Sequence, residues 1–587
     1  MQQEKIIKNS NKKMKKTLII TFAALVAVFT SCEKEYAPPV VSAPGSETIE
    51  TASSVDLTFS YTADGGFKSS SVTATNGSAV VKTDGASEAT SGNIVVTFTA
   101  GASAGAGSVT LNVFDTQDQT ASSTAVISVF EEGAPEVSAP SSTEVELIES
   151  VDITFSFTSE GGYSSSSVST EKGTATVKTE PSTGATTGDV VVTFTAGRTT
   201  GAGSVQLTIT DENGKSGLAT AVMDVINVPT ISVYDNIAAD ETWEAGNVYI
   251  LEGRIAVLDG VTLTIEPGVI VKGEAGSGSN ATALLIARGG TLLAEGTATE
   301  PIIFTTIADQ ILPGEIASPN MDPTTNGLWG GLLVLGKAPI SADAPAVQIE
   351  GIPPSDLNGL YGGDDPTDNS GIIKYLSLRH GGANIGEGNE INGLTLGGVG
   401  SGTVIENVEI VANQDDGIEW FGGKVNVSNA LVWNTGDDAI DADQSWGGTL
   451  NNAIIVNPGD ECFELDGPEG TMNDKYTILN VSAYAGPDTE GLVDNDDNTW
   501  VDMDGIYFFG MDAAIGQDFD QIPIDFTCSF TNFEATIPAG SILTDFFKDG
   551  SDAFTTEVAA GQNTVGADVT AFDGWSWAAV SGSLGDF

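Results

Sequence analysis

The chain has 587 residues, 40% of them hydrophobic, which excludes disorder throughout and, at roughly 150 residues per domain, predicts three or four domains. Its 70 glycines and frequent Ser, Thr and Asn residues favour an all-β architecture. With 22 basic and 80 acidic side chains, the net charge is −58 at pH 7, which excludes nucleic acid as a partner and leaves either a solvated surface in a salty medium or cation binding.

The first 31 residues have the pattern of an export signal. A basic region that begins at Met14 precedes an apolar run over 17–29, which is too short to cross a bilayer as a helix, since ~20 residues are needed. Cys32 follows small residues, and this arrangement resembles a lipobox, which implies cleavage before Cys32 and lipid attachment to its sulfur. The alternative is an ordinary secretory peptide followed by a stray cysteine. The acidic stretch 33–35 resembles the signal of surface-exposed Bacteroidetes-type lipoproteins, which implies a surface-exposed, lipid-anchored protein of the outer membrane.

Residues 42–132 recur without a gap as residues 138–228. VDLTF at 55–59 matches VDITF at 151–155, and VVTFTAG at 95–101 recurs unchanged at 191–197. Apolar residues alternate with Thr and Ser between Gly-rich turns, which predicts two Ig-like β-sandwiches. Neither copy contains His or Cys, so we expect spacing and display above the membrane, with weak glycan or protein contact as the alternative.

A second period begins after residue 229. Asn407, Asn429 and Asn452 follow one another at steps of 22 and 23 residues, and Asn480 comes next. The acidic sequences DDGIE at 415–419, DDAID at 437–441 and DECFE at 460–464 keep the same phase. Two columns with one period predict a coiling solenoid in which the asparagines stack as a ladder. The segment TEGL at 489–492 predicts a weaker fourth row.

This repeat is typical of pectin-lyase-like right-handed parallel β-helices. Segments 392–403 and 415–423 resemble uncharacterised Bacteroidetes-type surface lipoproteins with such a domain and N-terminal Ig-like repeats, a likeness that covers roughly 240–587 and implies no established activity. The fold class expected is therefore all-β, with two tandem Ig-like β-sandwiches followed by a right-handed parallel β-helix. The expected boundaries are a signal peptide over 1–31, a tether over 32–41, sandwiches over 42–133 and 134–229, and a β-helix with a C-terminal cap over 230–587.

The acidic column is the candidate metal site. Consecutive coils lie ~4.8 Å apart, so carboxylates in register repel one another unless a cation lies between them. Ca²⁺, which takes six to eight oxygen ligands, is the cofactor that suits such a column. The alternative is a solvated acidic ridge with raised carboxyl pKa values. The candidate ligands are Asp415, Asp416, Glu419, Asp437, Asp438, Asp441, Asp460, Glu461 and Glu464.

Aromatic residues near the same column predict a ligand surface. Exposed rings stack on sugars, and we take Trp420, Trp433 and Trp446 as ligand-binding candidates against the alternative that they pack in the core. We expect a cell-surface lipoprotein that binds or adheres to a glycan-like ligand, a polysaccharide, with a calcium-stabilised β-helix. No catalytic residue is assigned.

The alternative function is a polysaccharide lyase or glycoside hydrolase of the pectin-lyase-like fold. Paired aspartates resemble those of β-helix polygalacturonases, but the Gly-His-Gly and Arg-Ile-Lys motifs of that family are absent. The one histidine, His380, lies in a turn, where a structural role is the commoner one. Lyases of this fold use Lys or Arg as the base, and Arg379, Lys424 and Lys475 are the candidates.

Two further cysteines, Cys462 and Cys528, follow the first. They are able to form one disulfide in an oxidising compartment. The position of Cys462 in a column of small residues equally fits a buried free thiol. The sequence leaves both states open.

Overall fold

The computed structural model describes residues 36–384 and 391–587. The predicted signal peptide and Cys32 lie outside the described residues. The chain divides into two compact units, Met1–Asn227 and Val228–Phe587. Across the two described ranges, no helix has both the length and the apolar character needed to cross a membrane.

The first unit contains two β-sandwiches of identical topology. In the first, the sheets have the strand orders β1-β3-β6-β5 and β2-β8-β7-β4; in the second, they have the orders β9-β11-β14-β13 and β10-β16-β15-β12. The strands are β1 Val40–Ser42, β2 Glu47–Glu50, β3 Ser54–Thr62, β4 Phe67–Thr75, β5 Gly77–Thr83, β6 Ser91–Ala100, β7 Gly105–Asp115, β8 Thr120–Phe130, β9 Glu136–Ser138, β10 Thr143–Glu146, β11 Ser150–Thr158, β12 Tyr163–Glu171, β13 Gly173–Thr179, β14 Thr187–Ala196, β15 Gly201–Asp211 and β16 Ser216–Ile226.

Strict alternation of apolar and polar residues builds both sandwiches. Along β3, Leu57, Phe59 and Tyr61 are buried, while the residues between them are exposed, as period-two patterning requires. The equivalent residues of β11 behave in the same way. The two predicted Ig-like β-sandwiches are confirmed, and the duplication seen in the sequence is also a duplication of structure.

The second unit is a parallel β-helix, and the predicted fold class is confirmed. A sixteen-stranded and an eight-stranded sheet carry its coils, and every pairing within them is parallel; β27 and β28 form a separate antiparallel pair. The strands are β17 Thr230–Val233, β18 Glu241–Trp243, β19 Val248–Leu251, β20 Arg254–Val257, β21 Thr262–Ile265, β22 Ile270–Gly273, β23 Ala283–Ile286, β24 Thr291–Glu295, β25 Ile302–Thr306, β26 Leu332–Leu335, β27 Val347–Gln348, β28 Leu360–Tyr361, β29 Gly371–Arg379, β30 Leu394–Gly397, β31 Val404–Val411, β32 Ile418–Phe421, β33 Asn426–Trp433, β34 Ile440–Gln444, β35 Thr449–Val456, β36 Phe463–Leu465, β37 Tyr476–Tyr484, β38 Asp494–Asn495, β39 Val501–Phe509, β40 Ser529–Thr531, β41 Phe533–Ala535 and β42 Thr555–Glu557.

Helical structure is limited to short pieces. The α-helix α1 spans Trp577–Ser581, and 3₁₀ turns occur at Gly278–Asn280, Leu357–Gly359, Leu543–Asp545, Ser551–Ala553 and Val569–Phe572. From β30 to β39, successive strands alternate between the eight-stranded and the sixteen-stranded sheet. Each coil therefore places one short strand in the first sheet and one longer strand in the second.

The long strands bend at an asparagine in every central coil. Asn407, Asn429, Asn452 and Asn480 have φ values of 58°, 56°, 63° and 56°, a left-handed conformation that Asn tolerates better than most other residues. Asn429 Nδ2 donates to Asn407 Oδ1 at 2.9 Å, and Asn452 Nδ2 donates to Asn429 Oδ1 at 2.7 Å. The predicted ladder is confirmed for these three residues, whereas Asn480 Nδ2 donates to Asn451 Oδ1 at 2.8 Å.

Columns of small and large residues fill the interior over three coils. Ile418 pairs with Ile440 and Ile440 with Phe463, while a Cβ added to Gly417 would lie 2.5 Å from the Ala439 carbonyl oxygen, which leaves room only for glycine. Alignment of TEGL at 489–492 with DECFE at 460–464 predicts that Gly491 lies beside Cys462. This prediction is wrong by one residue, because Glu461 forms the bridge with Gly491. The inserted loop before this row shifts its register.

The end of the chain packs along the side of the solenoid. We call residues 558–587 the C-terminal segment. Trp577 contacts Trp433 edge-on at 5.7 Å between ring centroids, and Ala578 N donates to Glu409 Oε1 at 2.9 Å. Asp568 N donates to Asn452 Oδ1 at 2.6 Å, so the segment also occupies the free end of the asparagine ladder. It covers the outer side of the sixteen-stranded sheet.

The ladder predicts a graded loss of stability at Asn429. Alanine loses two side-chain hydrogen bonds and strains the left-handed backbone, which together should lower the free energy of unfolding by about 2–3 kcal/mol. Glycine loses the hydrogen bonds alone, so Asn429→Gly should cost about half as much. All 8 tryptophans follow residue 227, so urea unfolding monitored by tryptophan fluorescence reports on the β-helix alone. Equal losses for the two variants would contradict the role of the bend.

Candidate metal site

Outward-facing acidic residues form a row on the eight-stranded sheet. Because side chains alternate along a strand, burial of Ile418, Ile440 and Phe463 inside the solenoid turns the next residue of each strand outward. The parallel register then aligns Glu419 with Asp441, Asp441 with Glu464 and Glu464 with Asp494. Like charges therefore lie one strand spacing apart over successive coils.

A second column of acidic residues occupies the turn before each of these strands. Asp416 Oδ1 accepts a hydrogen bond from Asp438 N at 3.0 Å, and Asp438 Oδ1 accepts one from Glu461 N at 2.7 Å. Each carboxylate thus satisfies the backbone of the next coil with one oxygen. The Asp438 side chain also hydrogen-bonds to Glu464, which links the second column to the first.

The two columns converge where Asp416, Glu419 and Asp441 meet. One carboxylate oxygen from each lies within 4.8 Å of the others, and all three residues are buried. A second group with the same spacing joins Asp416 to Asp415 and Asp437, which are half-buried. Asp416 is shared, so the two groups are continuous.

The polar partners of the buried group are few. Asn392 Nδ2 donates to Glu419 Oε2, while Asp441 Oδ1 is buried without a hydrogen-bond partner among the described residues. A buried acceptor without a partner costs free energy comparable to a lost hydrogen bond. Glu419 and Asp441 also hydrogen-bond to each other, so Asp441 Oδ1 is the atom of this group that lacks a donor or a cation.

Burial and mutual repulsion raise the carboxyl pKa values. The pKa values of Asp416, Glu419 and Asp441 lie well above their usual range, chiefly because of desolvation and then because of neighbouring carboxylates. For the same reasons, the pKa rises to about 12 for Asp438 and about 8 for Glu461. Every charge that raises these values is negative.

This arrangement suits a hard divalent cation. All ligand atoms are oxygens, which favours Ca²⁺ over metals that prefer nitrogen or sulfur. Ca²⁺ binds oxygen at ~2.3–2.6 Å, so the oxygens that hold one ion must lie close together, as one oxygen from each residue of these groups does. The carboxylates that would hold the ion are Asp415, Asp416, Glu419, Asp437 and Asp441. Asp438, Asp460, Glu461 and Glu464, which we also predicted as ligands, belong to neither compact group.

The predicted aromatic ligand surface is wrong. Trp420 and Trp446 are buried in the solenoid core, where their rings stack at 4.6 Å between centroids. Trp433 faces outward but is 6% exposed, because Trp577 of the C-terminal segment covers it. None of the three rings offers a free face to a sugar.

The basic residues predicted for a lyase are engaged elsewhere. Arg379 is fully buried on the sixteen-stranded sheet, 3.7 Å from Glu409 Oε2 and 5.0 Å from the Trp577 ring centre. Lys424 pairs with Asp474, and Lys475 pairs with Asp502 at the outer surface. None of these three basic residues is among the main causes of the pKa shifts of Asp416, Glu419 and Asp441.

His380 and the cysteines play no part in the acidic site. His380 is buried, its Nδ1 lies 2.5 Å from the Thr325 carbonyl oxygen, and desolvation lowers its pKa. Cys462 and Cys528 are free thiols, of which Cys462 is buried. Of the two states that the sequence left open, the structure contains the buried thiol.

Sequence reasoning missed several neighbours of the site. Glu350 and Tyr361 come from the inserted segment (residues 336–370), and Asp443 and Gln444 come from the end of β34. These residues share no period with the acidic columns, so no repeat signal marks them. Asn392 is the first residue of the segment 392–403, which carries the family resemblance. Its place in that segment was the sequence signal that could have identified it as a neighbour of the site.

Comparison with known proteins supports the fold. Residues 235–485 match the family model described as a pectate-lyase like beta helix domain, so the second unit is similar to that domain. No curated protein matches the chain.

Several solved structures are similar to part of the chain. The GspB Siglec domain is 16% identical, with 18% of this chain and 65% of that chain covered and a TM-score of 0.16, so less than two thirds of it is spanned. A sialic acid binding region of a Streptococcus sanguinis SK1 adhesin is 8% identical over 33% of this chain and 82% of that chain, with a TM-score of 0.14. The titin Ig tandem domains A164-A165 are 7% identical over 33% and 99%, with a TM-score of 0.13. Such low scores carry no functional argument.

The raised pKa values predict that the metal-free β-helix loses stability as pH rises. A carboxyl whose pKa is higher in the folded than in the unfolded state keeps its proton longer when folded, so stability falls between the two values. With Asp443 at about 7 and Glu461 at about 8, the melting temperature in EDTA should fall from pH 5 to pH 8. Tryptophan fluorescence provides the measurement. Asp443→Asn should flatten this dependence, and a rise in melting temperature over the same range would contradict the electrostatics.

Proposed function

We propose that the β-helix binds Ca²⁺ on the eight-stranded sheet and uses the bound ion to hold an acidic polysaccharide without cleaving it. The observation that carries this proposal is the buried group of Asp416, Glu419 and Asp441, whose oxygens lie within 4.8 Å of one another. Three desolvated carboxylates without a cation destabilise the fold, and Ca²⁺ removes that repulsion.

The half-buried group supports a role in ligand binding. Asp415 and Asp437 lie beside Asp416 but keep part of their surface in solvent. A Ca²⁺ ion there would take some of its six to eight ligands from the protein and leave positions for water or a uronate carboxylate. Because the chain carries a charge of −58, an acidic glycan is repelled unless such an ion bridges the two.

The proposed location is the outer surface of an outer membrane, with a lipid on Cys32 as the anchor. The pattern of basic, apolar and small residues before Cys32 supports this location. Two or more acyl chains anchor a protein stably where a single chain binds reversibly. Incorporation of labelled palmitate into the wild type but not into Cys32→Ala would support the anchor, and equal labelling would exclude it.

A polysaccharide lyase or glycoside hydrolase is the second candidate. The similarity of residues 235–485 to a pectate-lyase like domain favours it. Carboxylates with raised pKa values are able to act as general acids. Against a lyase, the candidate bases Arg379, Lys424 and Lys475 are held in ion pairs.

Calcium should stabilise the wild type through Asp441. At one hundred times the dissociation constant, Ca²⁺ adds about 2.7 kcal/mol to the free energy of unfolding. Asp441→Asn keeps the side-chain shape but removes a charged ligand, so its Ca²⁺-dependent stabilisation should disappear. In EDTA at pH 8 its free energy of unfolding should be no lower than that of the wild type. Urea unfolding in Ca²⁺ and in EDTA measures both effects.

The matched control is Asp64→Asn, which removes an exposed charge from the first unit. It should retain the full response to Ca²⁺. If Ca²⁺ stabilises Asp441→Asn as strongly as the wild type, the ion does not bind at this group.

A panel of uronate and neutral polysaccharides separates binding from cleavage. The mature protein should be retarded in gels that contain an acidic glycan and Ca²⁺, and EDTA should abolish the retardation. No unsaturated product should absorb near 235 nm, and no new reducing ends should form. Either product, formed by the wild type but not by Asp441→Asn, would establish the enzyme instead.

A further inference from the structure

Asn392 continues the second column, which runs along the turns, by one coil. Leu394 pairs with Ile418 in the parallel register, so Asn392, two residues before Leu394, is aligned with Asp416. Gly393 N donates to Asp416 O at 2.9 Å, which extends the same register into the turn. Asn392 is therefore the equivalent of Asp416 on the preceding coil, with an amide in place of the carboxylate.

The carboxamide of Asn392 does not repeat the hydrogen bond of this column. Asp416 Oδ1 accepts from Asp438 N on the next coil, and Asp438 Oδ1 accepts from Glu461 N. Asn392 instead donates from Nδ2 to Glu419 Oε2. Its Oδ1 is buried and has no hydrogen-bond partner within residues 36–384 and 391–587, and the residue is 1% exposed. A buried amide oxygen without a donor indicates a missing partner.

This oxygen lies close to the buried carboxylates. The oxygen and nitrogen of one carboxamide are only ~2.2 Å apart, so the contact of Nδ2 with Glu419 Oε2 places Asn392 Oδ1 within about 5 Å of that atom. Rotation by half a turn about the last side-chain bond exchanges Nδ2 and Oδ1 and brings the oxygen next to Glu419. The side chain is therefore able to present an oxygen to an ion at this group.

A neutral oxygen suits this group better than a further carboxylate. Ca²⁺ takes six to eight oxygen ligands, and side-chain amides supply them as well as carboxylates do. The carboxylates of Asp416, Glu419 and Asp441, when ionised, already exceed the charge of one divalent ion, so a fourth would add only repulsion. A water molecule would donate to the amide oxygen but would leave this repulsion in place. An ion meets both needs.

We propose that Asn392 Oδ1 is a neutral ligand of the Ca²⁺ ion held by Asp416, Glu419 and Asp441. The Nδ2 donor stabilises Glu419 when the site is metal-free, and the oxygen binds the ion when Ca²⁺ is present. One side chain thus serves both states of the site. This assignment rests on the proposed Ca²⁺-dependent function and deepens it, because it adds a ligand that carries no charge.

Calorimetric titration of the EDTA-treated, dialysed mature protein with CaCl₂ tests this ligand at the site that Asp441→Asn loses. Asn392→Leu removes both the oxygen and the donor, so its dissociation constant should rise roughly tenfold. Asn392→Asp also removes the donor but keeps an oxygen, so it should bind Ca²⁺ at least as tightly as the wild type. Asn93→Leu, a control at an exposed position of β6, should match the wild type.

The two substitutions of Asn392 separate a ligand from a hydrogen-bond donor. If the side chain serves only as the donor to Glu419, leucine and aspartate lose the same group and should weaken binding alike, which would overturn the proposed ligand. Wild-type affinity in Asn392→Leu would overturn it as well. If tryptophan fluorescence shows that Asn392→Leu does not fold, Asn392→Ala removes the same oxygen with less bulk and replaces it in the comparison.

The same titrations distinguish this proposal from the proposed function. Binding by the wild type that is lost in Asp441→Asn but unchanged in Asn392→Leu would overturn the ligand and leave the proposed function standing. No binding of Ca²⁺ by the wild type would overturn both.

Discussion

Parallel stacking of coils, in which each residue lies above the equivalent residue of the previous coil, underlies every other feature of the β-helix. Because successive coils are one strand spacing apart, the side chains of equivalent residues contact one another. Asparagine benefits from this, since Asn407, Asn429 and Asn452 each carry both a donor and an acceptor and hydrogen-bond in series. Ionised carboxylates only accept, so the row from Glu419 to Asp494 accumulates repulsion wherever it is ionised.

Coverage of the sheet determines how strongly this repulsion acts. An acidic row in open water would be screened and would cost little. Here the inserted segment packs Ile340, Ile349 and Ile352 against the outer face of the eight-stranded sheet, and the adjacent carboxylates become buried. Desolvation then dominates their pKa values. The cation hypothesis therefore depends on the insertion as much as on the repeat.

On the opposite side of the solenoid, the C-terminal segment covers the sixteen-stranded sheet. The C-terminal segment buries Trp433 and places Trp577 against Arg379, whose charge pairs with Glu409. Removing one partner of a fully buried ion pair is far more costly than removing both. This side is consequently a packed interface, in which Trp433 and Arg379 have structural roles.

By itself, the sequence determined the duplication of the sandwiches, because residues 42–132 recur as 138–228. It also determined the parallel winding, the asparagine ladder and the acidic columns, because these depend only on residue type and a period near two dozen. Tertiary structure alone decided which carboxylates are buried and which rings are exposed. Tyr361 and Glu469 reach Gln444 across 83 and 25 residues, and Trp577 reaches Trp433 from the end of the chain. These contacts come from aperiodic insertions, and burial depends on what covers a surface, which no local pattern encodes.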